Sequence, residues 1–539
     1  MRSQRLLSFT AFATALVSAF VVAFWATGPS FTAKFGPIDD HEPLMWMGPD
    51  GHLPWSEFWA TFINKTEVGQ WGGSGRFRPA YYLFRVGETV LFGNNPWDWY
   101  ACVLVMFTGA CAVLGYVAAV WLSTVVNGSR AWICWSVMLV GSAVCPFLFA
   151  GLYAWSGIVA RLGPSELLGL LATGVVLLSL TKLSLGLGRL WWIPALLGVT
   201  TAIFAKESFF SLALAFPLVG TYSYRALGRR KTDLVAGLLG LLPAVFLGLI
   251  LAPTLLRSQH DIYGAGVGSS RLAGAISALA EPPLRRWFLA GGVVLLAWFA
   301  MTVTIPKAER RVPTFLLAVI VWLFACVFLD AWFYDGNYSL PRYRAISDLV
   351  ITVQFLGAAC LSIVAIRRSR RHSRPVLVLA IASVVASSFF IVRLVQVSVS
   401  DLELTHENAI YHAATSNDYQ RGLSEALARL AVEPKPTVAV VATNGGDYEP
   451  AYAVLNELAR RSGDRFREYL IVENSSPRTN GSLDAMARIS ESGAPGWHTR
   501  PVSELAGTED AVCVFLNKDP RPVDGCRRGD GIRLIAQGM

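Results

Sequence analysis

The sequence predicts a polytopic α-helical membrane protein with about eleven transmembrane helices, followed by a small C-terminal α/β domain. Three observations predict this class. The 539-residue chain is 54% hydrophobic and only 15% charged, its mean hydropathy is +0.46, and its apolar residues form long runs without charge. Soluble proteins carry about a quarter charged residues, so this composition excludes a soluble globular chain and a disordered chain.

Most of the apolar runs approach the ~17 to 25 residues that a helix needs to cross about 30 Å of hydrocarbon. Two of them, 167–181 and 190–205, are short, and could instead form one re-entrant or tilted pair. In chain order the runs are 6–26, 99–126, 131–160, 167–181, 190–205, 208–224, 234–256, 287–305, 312–329, 349–366 and 375–392.

The first run follows a short basic segment, as both a signal-peptide core and a membrane anchor do. Its length of about 21 residues exceeds the roughly 7 to 15 residues of a signal-peptide core, and no clear small-x-small cleavage site follows. We therefore interpret 6–26 as an uncleaved anchor.

Basic residues predict the orientation, because Lys and Arg in short loops stay on the cytoplasmic side. With a cytoplasmic N-terminus, every predicted inner segment is basic, as expected of a multi-pass membrane protein. An odd number of spans then places the first long loop, 28–98, and the tail, 397–539, on the outer face. The inner basic residues are Arg2, Arg5, Arg130, Lys182, Arg189, Arg225, Arg229, Arg230, Lys231, Lys307, Arg310, Arg311, Arg367, Arg368, Arg370, Arg371 and Arg374.

The formal net charge of +9 would suggest nucleic acid in a soluble protein. Here the excess belongs to the membrane portion, 1–396, where the inner segments hold its densest groups, whereas the tail is net acidic. The charge therefore reflects membrane topology, and we predict no nucleic-acid partner.

Composition changes after about Val397. The tail alternates β-branched runs at 437–443, 469–472 and 511–516 with helical segments near 449–461 and 482–489, which predicts an α/β domain over 397–539 beside a membrane domain over 1–396. Cys513 and Cys526 lie in this predicted outer domain, and are either a disulfide or two separate buried thiols.

Four titratable residues, Asp39, Asp40, His41 and Glu42, follow the first span. Acidic groups crowded at a low-dielectric boundary suit a general base or a metal-ligand cluster. Helix capping by Asp39 or Asp40 is the structural alternative, although a cap needs only one acidic residue. Oxygen and imidazole ligands suit several metals, so Asp39, Asp40 and His41 form a candidate site for a divalent cation.

The first loop also carries Arg-Phe-Arg-Pro-Ala-Tyr-Tyr at 76–82 and Leu-Phe-Gly-Asn-Asn-Pro at 91–96. With the acidic pair, these segments resemble the GT-C superfamily of membrane glycosyltransferases, closest to the bacterial relatives of protein O-mannosyltransferases. The resemblance implies a polyprenyl-phosphate sugar as donor and an acidic residue of this loop as catalytic base. By position the base would be Asp39 or Asp40, of which we prefer Asp40, and Arg76 and Arg78 are candidate substrate contacts.

Charged residues at the outer ends of later spans are further candidates, because ionisable groups at membrane depth are costly and usually functional. Glu166 precedes the fourth span, and Lys206 and Glu207 lie between the fifth and sixth. Interfacial snorkelling or a local Lys–Glu pair is their alternative. Arg342 breaks the inner bias in the last outer loop, and its planar guanidinium suits phosphate oxygens; related enzymes often show an Arg-Tyr pair here, which makes Tyr343 its candidate neighbour.

With these candidate residues, the resemblance implies an enzyme of the bacterial plasma membrane that catalyses inverting transfer of a hexosyl or pentosyl group from a polyprenyl-phosphate donor to a glycan, lipid or protein acceptor of the cell envelope. A polysaccharide polymerase or O-antigen ligase is the alternative, although the catalytic loop of such enzymes usually lies late in the chain. A transporter is a weaker alternative, because no inverted repeat is visible.

Overall fold

A bundle of long apolar helices, followed by a parallel β-sheet, makes up the computed structural model of the chain. The structure describes residues 2–36, 40–48, 50–73, 76–125, 131–163, 165–226, 228, 230–257, 325–326, 341–369, 374–431, 437–442, 448–462, 468–473, 498–501, 511–515 and 532–533.

Fifteen α-helices lie in this described part of the chain, with short 3₁₀ helices at Gly28–Thr32, Trp55–Glu57, Glu67–Gln70, Glu207–Leu214 and Pro341–Arg344. The α-helices are α1 Arg2–Thr27, α2 His41–Trp46, α3 Phe58–Asn64, α4 Pro79–Phe92, α5 Pro96–Val125, α6 Ala131–Ala150, α7 Trp155–Ile158, α8 Glu166–Ser184, α9 Trp192–Ala205, α10 Ala215–Ala226, α11 Lys231–Leu239, α12 Leu242–Arg257, α13 Ala345–Ser369, α14 Arg374–Leu430 and α15 Tyr448–Ser462.

Six helical stretches in the described residues are long and apolar enough to cross a membrane, and α9 and the segment Ala345–Cys360 are shorter apolar helices. This confirms the polytopic helical class, whereas the number of about eleven spans stays a prediction. The six are Leu6–Thr32, Pro96–Thr124, Ala131–Ala150, Glu166–Ser184, Lys231–Pro253 and Val384–Ala428.

Run 208–224 does not form one long helix. It is divided between the 3₁₀ helix Glu207–Leu214 and α10, which has Pro217 in its first turn. Proline has no amide hydrogen and fits the first turn of a helix, so it favours a new helix start at this point. The runs 287–305 and 312–329 lie outside the described residues, apart from 325–326.

Small residues bring the helices together. Alanines 11, 15, 19 and 23 recur every four residues along α1 and are fully buried, where α1 packs against α5 and α6. Such a row on one face lets helix backbones approach closely. Gly115 of α5 acts in the same way, because a Cβ there would lie 2.5 Å from Cγ of Pro146 in α6.

The last long helix, α14, has 57 residues and at 1.5 Å per residue is about 85 Å long. The predicted boundary at Val397 falls inside this continuous helix. Its second half packs against the 3₁₀ helix Gly28–Thr32 and against α7. There Asn417 Nδ2 donates to the Thr32 carbonyl at 3.0 Å, and Gln420 Nε2 donates to the Phe35 carbonyl at 2.8 Å.

The strands are β1 Thr437–Ala442, β2 Glu468–Glu473, β3 His498–Pro501, β4 Ala511–Phe515 and β5 Ile532–Arg533, paired in parallel in the order β3-β2-β1-β4-β5. The β-branched runs of the tail fall on β1, β2 and β4, and run 449–461 falls on α15. Segment 482–489 and Cys526 lie outside the described residues.

Helix α15 packs against both α2 and α14. Arg461 Nη2, at the end of α15, donates to Gln420 Oε1 at 2.8 Å. The described tail therefore lies at the same end of the helix bundle as the first long loop. This end is called the loop face below.

Candidate functional site

Helix α4 positions one row of polar side chains on the loop face. It begins at Pro79, a residue suited to the first helical position because it has no amide hydrogen to satisfy. From the N-cap Arg78, spacings of three and four residues place Tyr81, Tyr82, Arg85 and Glu88 on one side of the helix, and all of them are buried. Since α4 packs against α9, this row points into the protein.

A buried ion pair anchors the start of α4. Arg78 Nε donates to Glu67 Oε2 at 3.0 Å and Nη2 donates to Oε1 at 2.5 Å. Arg76 Nη1 lies 3.7 Å from Glu67 Oε1, and Arg78 Nε lies 4.0 Å from Glu207 Oε1. Burial alone would raise the pKa of Glu67, but the charges of Arg78 and Arg76 outweigh it and hold that pKa below 4.5.

A second buried ion pair joins two later helices. Helix α8 begins and α9 ends at the loop face, which brings Lys206 Nζ within 3.4 Å of Glu166 Oε1. An acidic residue at a helix N-terminus and a cation at a helix C-terminus both complement the helix dipoles. The positive charge of Lys206 also lowers the pKa of Glu67, so the two ion pairs belong to one cluster. Arg76, Arg78, Glu166, Lys206 and Glu207 are thus brought together.

Glu42 is the half-buried carboxylate of this cluster. The Tyr82 hydroxyl lies 3.3 Å from Glu42 Oε1 and the Tyr81 hydroxyl 3.4 Å from Oε2. Tyr81 also donates to the Gly163 carbonyl at 2.7 Å. Burial, then the negative charges of Glu42 and Glu67, raises the pKa of Tyr82 well above 10. Tyr82 therefore stays protonated, and its O–H can be donated.

Asp40 is fully buried, and the structure uses both of its oxygens. Oδ1 accepts from the Leu162 amide at 2.9 Å and Oδ2 from the Gly36 amide at 2.8 Å. His412 Nε2, from α14, lies 3.7 Å from Oδ2 and is hydrogen-bonded to the Tyr100 hydroxyl at 2.9 Å. Asp40 stands in the N-cap position of α2 but makes no side-chain cap hydrogen bond, so the capping alternative is not observed for this residue.

Arg85 and Glu88 extend the polar row beyond the predicted site. Arg85 Nη1 lies 3.3 Å from Glu88 Oε2, and its guanidinium stands 4.5 Å from the Trp99 ring centroid. Burial raises the pKa of Glu88 to about 7 even though Arg85 lowers it. Burial lowers the pKa of Arg85, but the charges of Tyr81, Glu88, Asp40 and Glu42 outweigh burial and raise that pKa above its ordinary value. Arg85 therefore carries a positive charge beside the acidic segment.

The remaining predicted residues lie partly outside the described set. Asp39 and the side chains of His41 and Tyr343 are among the undescribed positions. Within the described residues, no three or more His, Cys, Asp or Glu side chains are grouped to hold a metal ion, and both Asp40 oxygens already accept N–H donors. Arg342 is half-buried and lies in a 3₁₀ helix that packs against α7. The turn that holds Leu162 follows α7 in the chain.

Glu67 and His412 contact the predicted site but carry no signal in the sequence. Glu67 stands alone in the loop, 11 residues before its partner. His412 lies in a stretch assigned to the tail. Only the hydrophobic continuity of α14 with the last span could have placed it here. No protein-family model matches the chain, and no curated protein matches it significantly.

Proposed function

We propose that the chain is an inverting glycosyltransferase of the bacterial plasma membrane that moves a sugar from a polyprenyl-phosphate donor to a cell-envelope glycan, lipid or protein. In this proposal the chain crosses the membrane about eleven times, its N-terminus is cytoplasmic, and the loop face with an α/β domain is external. The observation that carries it is the convergence of Glu42, the Tyr81–Tyr82 pair and the cations of the buried cluster on one face, in the loop whose 76–82 segment resembles GT-C enzymes.

Glu42 suits the base better than Asp40 on this geometry. A general base must present an oxygen to the acceptor hydroxyl at hydrogen-bond distance. Asp40 is fully buried, and backbone amides occupy both of its oxygens. Glu42 is half-buried, and its described partners are two phenols at 3.3 and 3.4 Å. We therefore assign proton transfer to Glu42, and assign to Asp40 the role of holding the acidic segment against the turn at Leu162. Asp39 stays the alternative base.

The cations of the cluster suit a donor phosphate. The leaving polyprenyl phosphate gains negative charge as the glycosidic bond breaks, and positive groups already in place stabilise that charge best. Arg78 is held by Glu67 in a bidentate pair, which leaves it a structural cation. The Arg76 side chain is 22% exposed, against 9% for Arg78, and its Nη1 lies 3.7 Å from Glu67 Oε1. Arg76 and Lys206 are therefore the proposed phosphate contacts within the cluster. Arg342, whose planar guanidinium suits phosphate oxygens, is proposed as a third contact from outside it.

The proposed reaction is a single displacement. The acceptor oxygen forms a bond to the anomeric carbon while its proton passes to the Glu42 carboxylate. The bond between that carbon and the phosphate oxygen breaks on the opposite side, and its electron pair leaves with the polyprenyl phosphate. The configuration at the anomeric carbon is inverted. A lipid-linked donor removes any need for a nucleotide site.

Transfer from a panel of polyprenyl-phosphate hexoses and pentoses, measured with the full chain in lipid nanodiscs, tests the proposal. Glu42→Gln should lower turnover by about 100-fold or more, with little change in the KM for donor. The exposed Glu57→Gln is the matched control and should retain activity. Full turnover in Glu42→Gln together with loss in Asp39→Asn would move the base to Asp39. Release of polyprenyl phosphate from none of the donors would reject the glycosyltransferase assignment.

A further inference from the structure

The first loop exposes a ridge of large apolar side chains. Trp55, Trp59 and Ile63 are 66%, 62% and 50% exposed. The 3₁₀ helix Trp55–Glu57 runs directly into α3, so residues four apart lie along one side. Large apolar side chains that align on one exposed side indicate contact with another apolar phase.

The other two sides of this segment explain its orientation. Phe58 and Phe62 pack against the hydrophobic core, and Thr61 between them is fully buried. Glu57 and Asn64 are exposed on the remaining side. The segment thus has a protein side, an apolar exposed side and a polar exposed side, which is the division expected of a helix lying in a membrane interface.

The ridge lies next to the surface of a candidate membrane-crossing helix. The carbonyl of Ile63 is close to Gly69, where a Cβ would lie 2.0 Å from that oxygen. Two residues later Trp71, which is 64% exposed, stacks on Phe77 at 5.6 Å. Phe77 in turn contacts Phe246 of α12 at 6.4 Å.

Gly72 fixes the same contact through the backbone. Its φ is +80°, and a Cβ there would lie 2.8 Å from Cγ2 of Ile250 in α12. On that helix Val245 and Leu249 are exposed, within the candidate span Lys231–Pro253. Trp71 therefore lies between the exposed apolar surface of this span and the apolar ridge of the loop, and the two surfaces are continuous.

We propose that the ridge Trp55–Trp59–Ile63 inserts into the lipid headgroup region at the loop face and holds the first loop flat on the bilayer. Tryptophan is enriched at this depth because its ring is apolar and its N–H is polar. Glu57 and Asn64 then face water, and Lys65 lies within reach of lipid phosphates. The proposal does not depend on the proposed enzymatic activity.

Photo-crosslinking with the full chain in nanodiscs of phosphatidylcholine and phosphatidylglycerol tests the ridge. p-Benzoylphenylalanine replaces Trp59 in one protein and Glu57 in a matched control on the polar side. Mass spectrometry should find phospholipid adducts at position 59 at about ten times the level at position 57. A crosslink from position 59 to a second copy or to another segment of the chain would overturn the proposal. Equal or absent lipid adducts at both positions would overturn it as well.

Fluorescence quenching provides a second measurement that needs no crosslinker. Brominated phospholipids should quench the wild-type protein more than Trp59→Phe, because the variant lacks one lipid-facing indole. Trp155→Phe, which removes a fully buried indole, is the matched control and should not lower the quenched fraction. Unchanged quenching in Trp59→Phe would contradict insertion of the ridge.

Discussion

Replacing Glu88 by Gln should remove a pH dependence from the stability of the protein. Burial raises the pKa of Glu88 from 4.5 to about 7 in the folded state. Between these values the folded protein keeps a proton that the unfolded chain has released, so stability falls as the pH rises through this range. One pKa unit corresponds to about 1.4 kcal/mol, so the whole pKa shift of Glu88 corresponds to about 3 kcal/mol of stability, which is lost between pH 4.5 and 7.

The free energy of unfolding, measured by SDS titration in mixed micelles at pH 5, 6, 7 and 8, checks this expectation. Over this range the wild type should lose about 2 to 3 kcal/mol more than Glu88→Gln. In the folded protein Glu88 interacts with the Arg85 guanidinium and with the Cys102 thiol. The substitution leaves both of these residues unchanged. Glu57→Gln, at an exposed site paired only at 3.8 Å with Lys65, is the control. Equal losses in the wild type and Glu88→Gln would refute the reasoning.

Two further substitutions test the packing of the loop face. Arg78→Met should lower the unfolding free energy by about 3 to 5 kcal/mol, because it leaves the Glu67 carboxylate buried without its main partner. In a double-mutant cycle, Glu67→Gln should recover part of that loss. Strictly additive losses would contradict an interaction between Arg78 and Glu67. Gly169→Ala should cost about 1 to 3 kcal/mol because the new Cβ would lie 2.2 Å from Cε2 of the buried Phe209. Phe209→Leu should relieve part of that cost in a thermal-unfolding assay, whereas Gly87→Ala, with open space around it, should cost little.

The helical body was predictable because its signal is local. The length and apolarity of run 99–126 are enough to predict a helix there, and α5 covers nearly the same residues. Run 208–224 has the same apolarity, but Pro217 and the 3₁₀ start at Glu207 divide it into shorter elements. Composition therefore predicts that a segment is buried or lipid-facing better than it predicts that the segment is one continuous helix.

The site was predictable where both partners carry a signal of their own. Lys206 and Glu166 were each expected at span ends on one face, and antiparallel helices α8 and α9 bring them together. The burial of Asp40 was not predictable in the same way, because it depends on the amide of Leu162, 122 residues away. Nearly every residue type carries a backbone amide, so no sequence pattern predicts which amide donates to Asp40.

The contacts of α14 change how the tail relates to the acidic segment. His412 reaches Asp40, Gln420 holds the Phe35 carbonyl, and α15 packs on α2, the helix that carries Glu42. Three contacts from the chain after Val397, two of them from α14 and one from α15, thus reach the same short stretch from Phe35 to Trp46. Because buried polar contacts are costly to break once one partner is removed, a displacement of α14 or α15 would be felt at Glu42. The tail is therefore part of the structure that positions the acidic segment, and its removal should disturb that segment even though the tail contributes none of the proposed base or phosphate contacts.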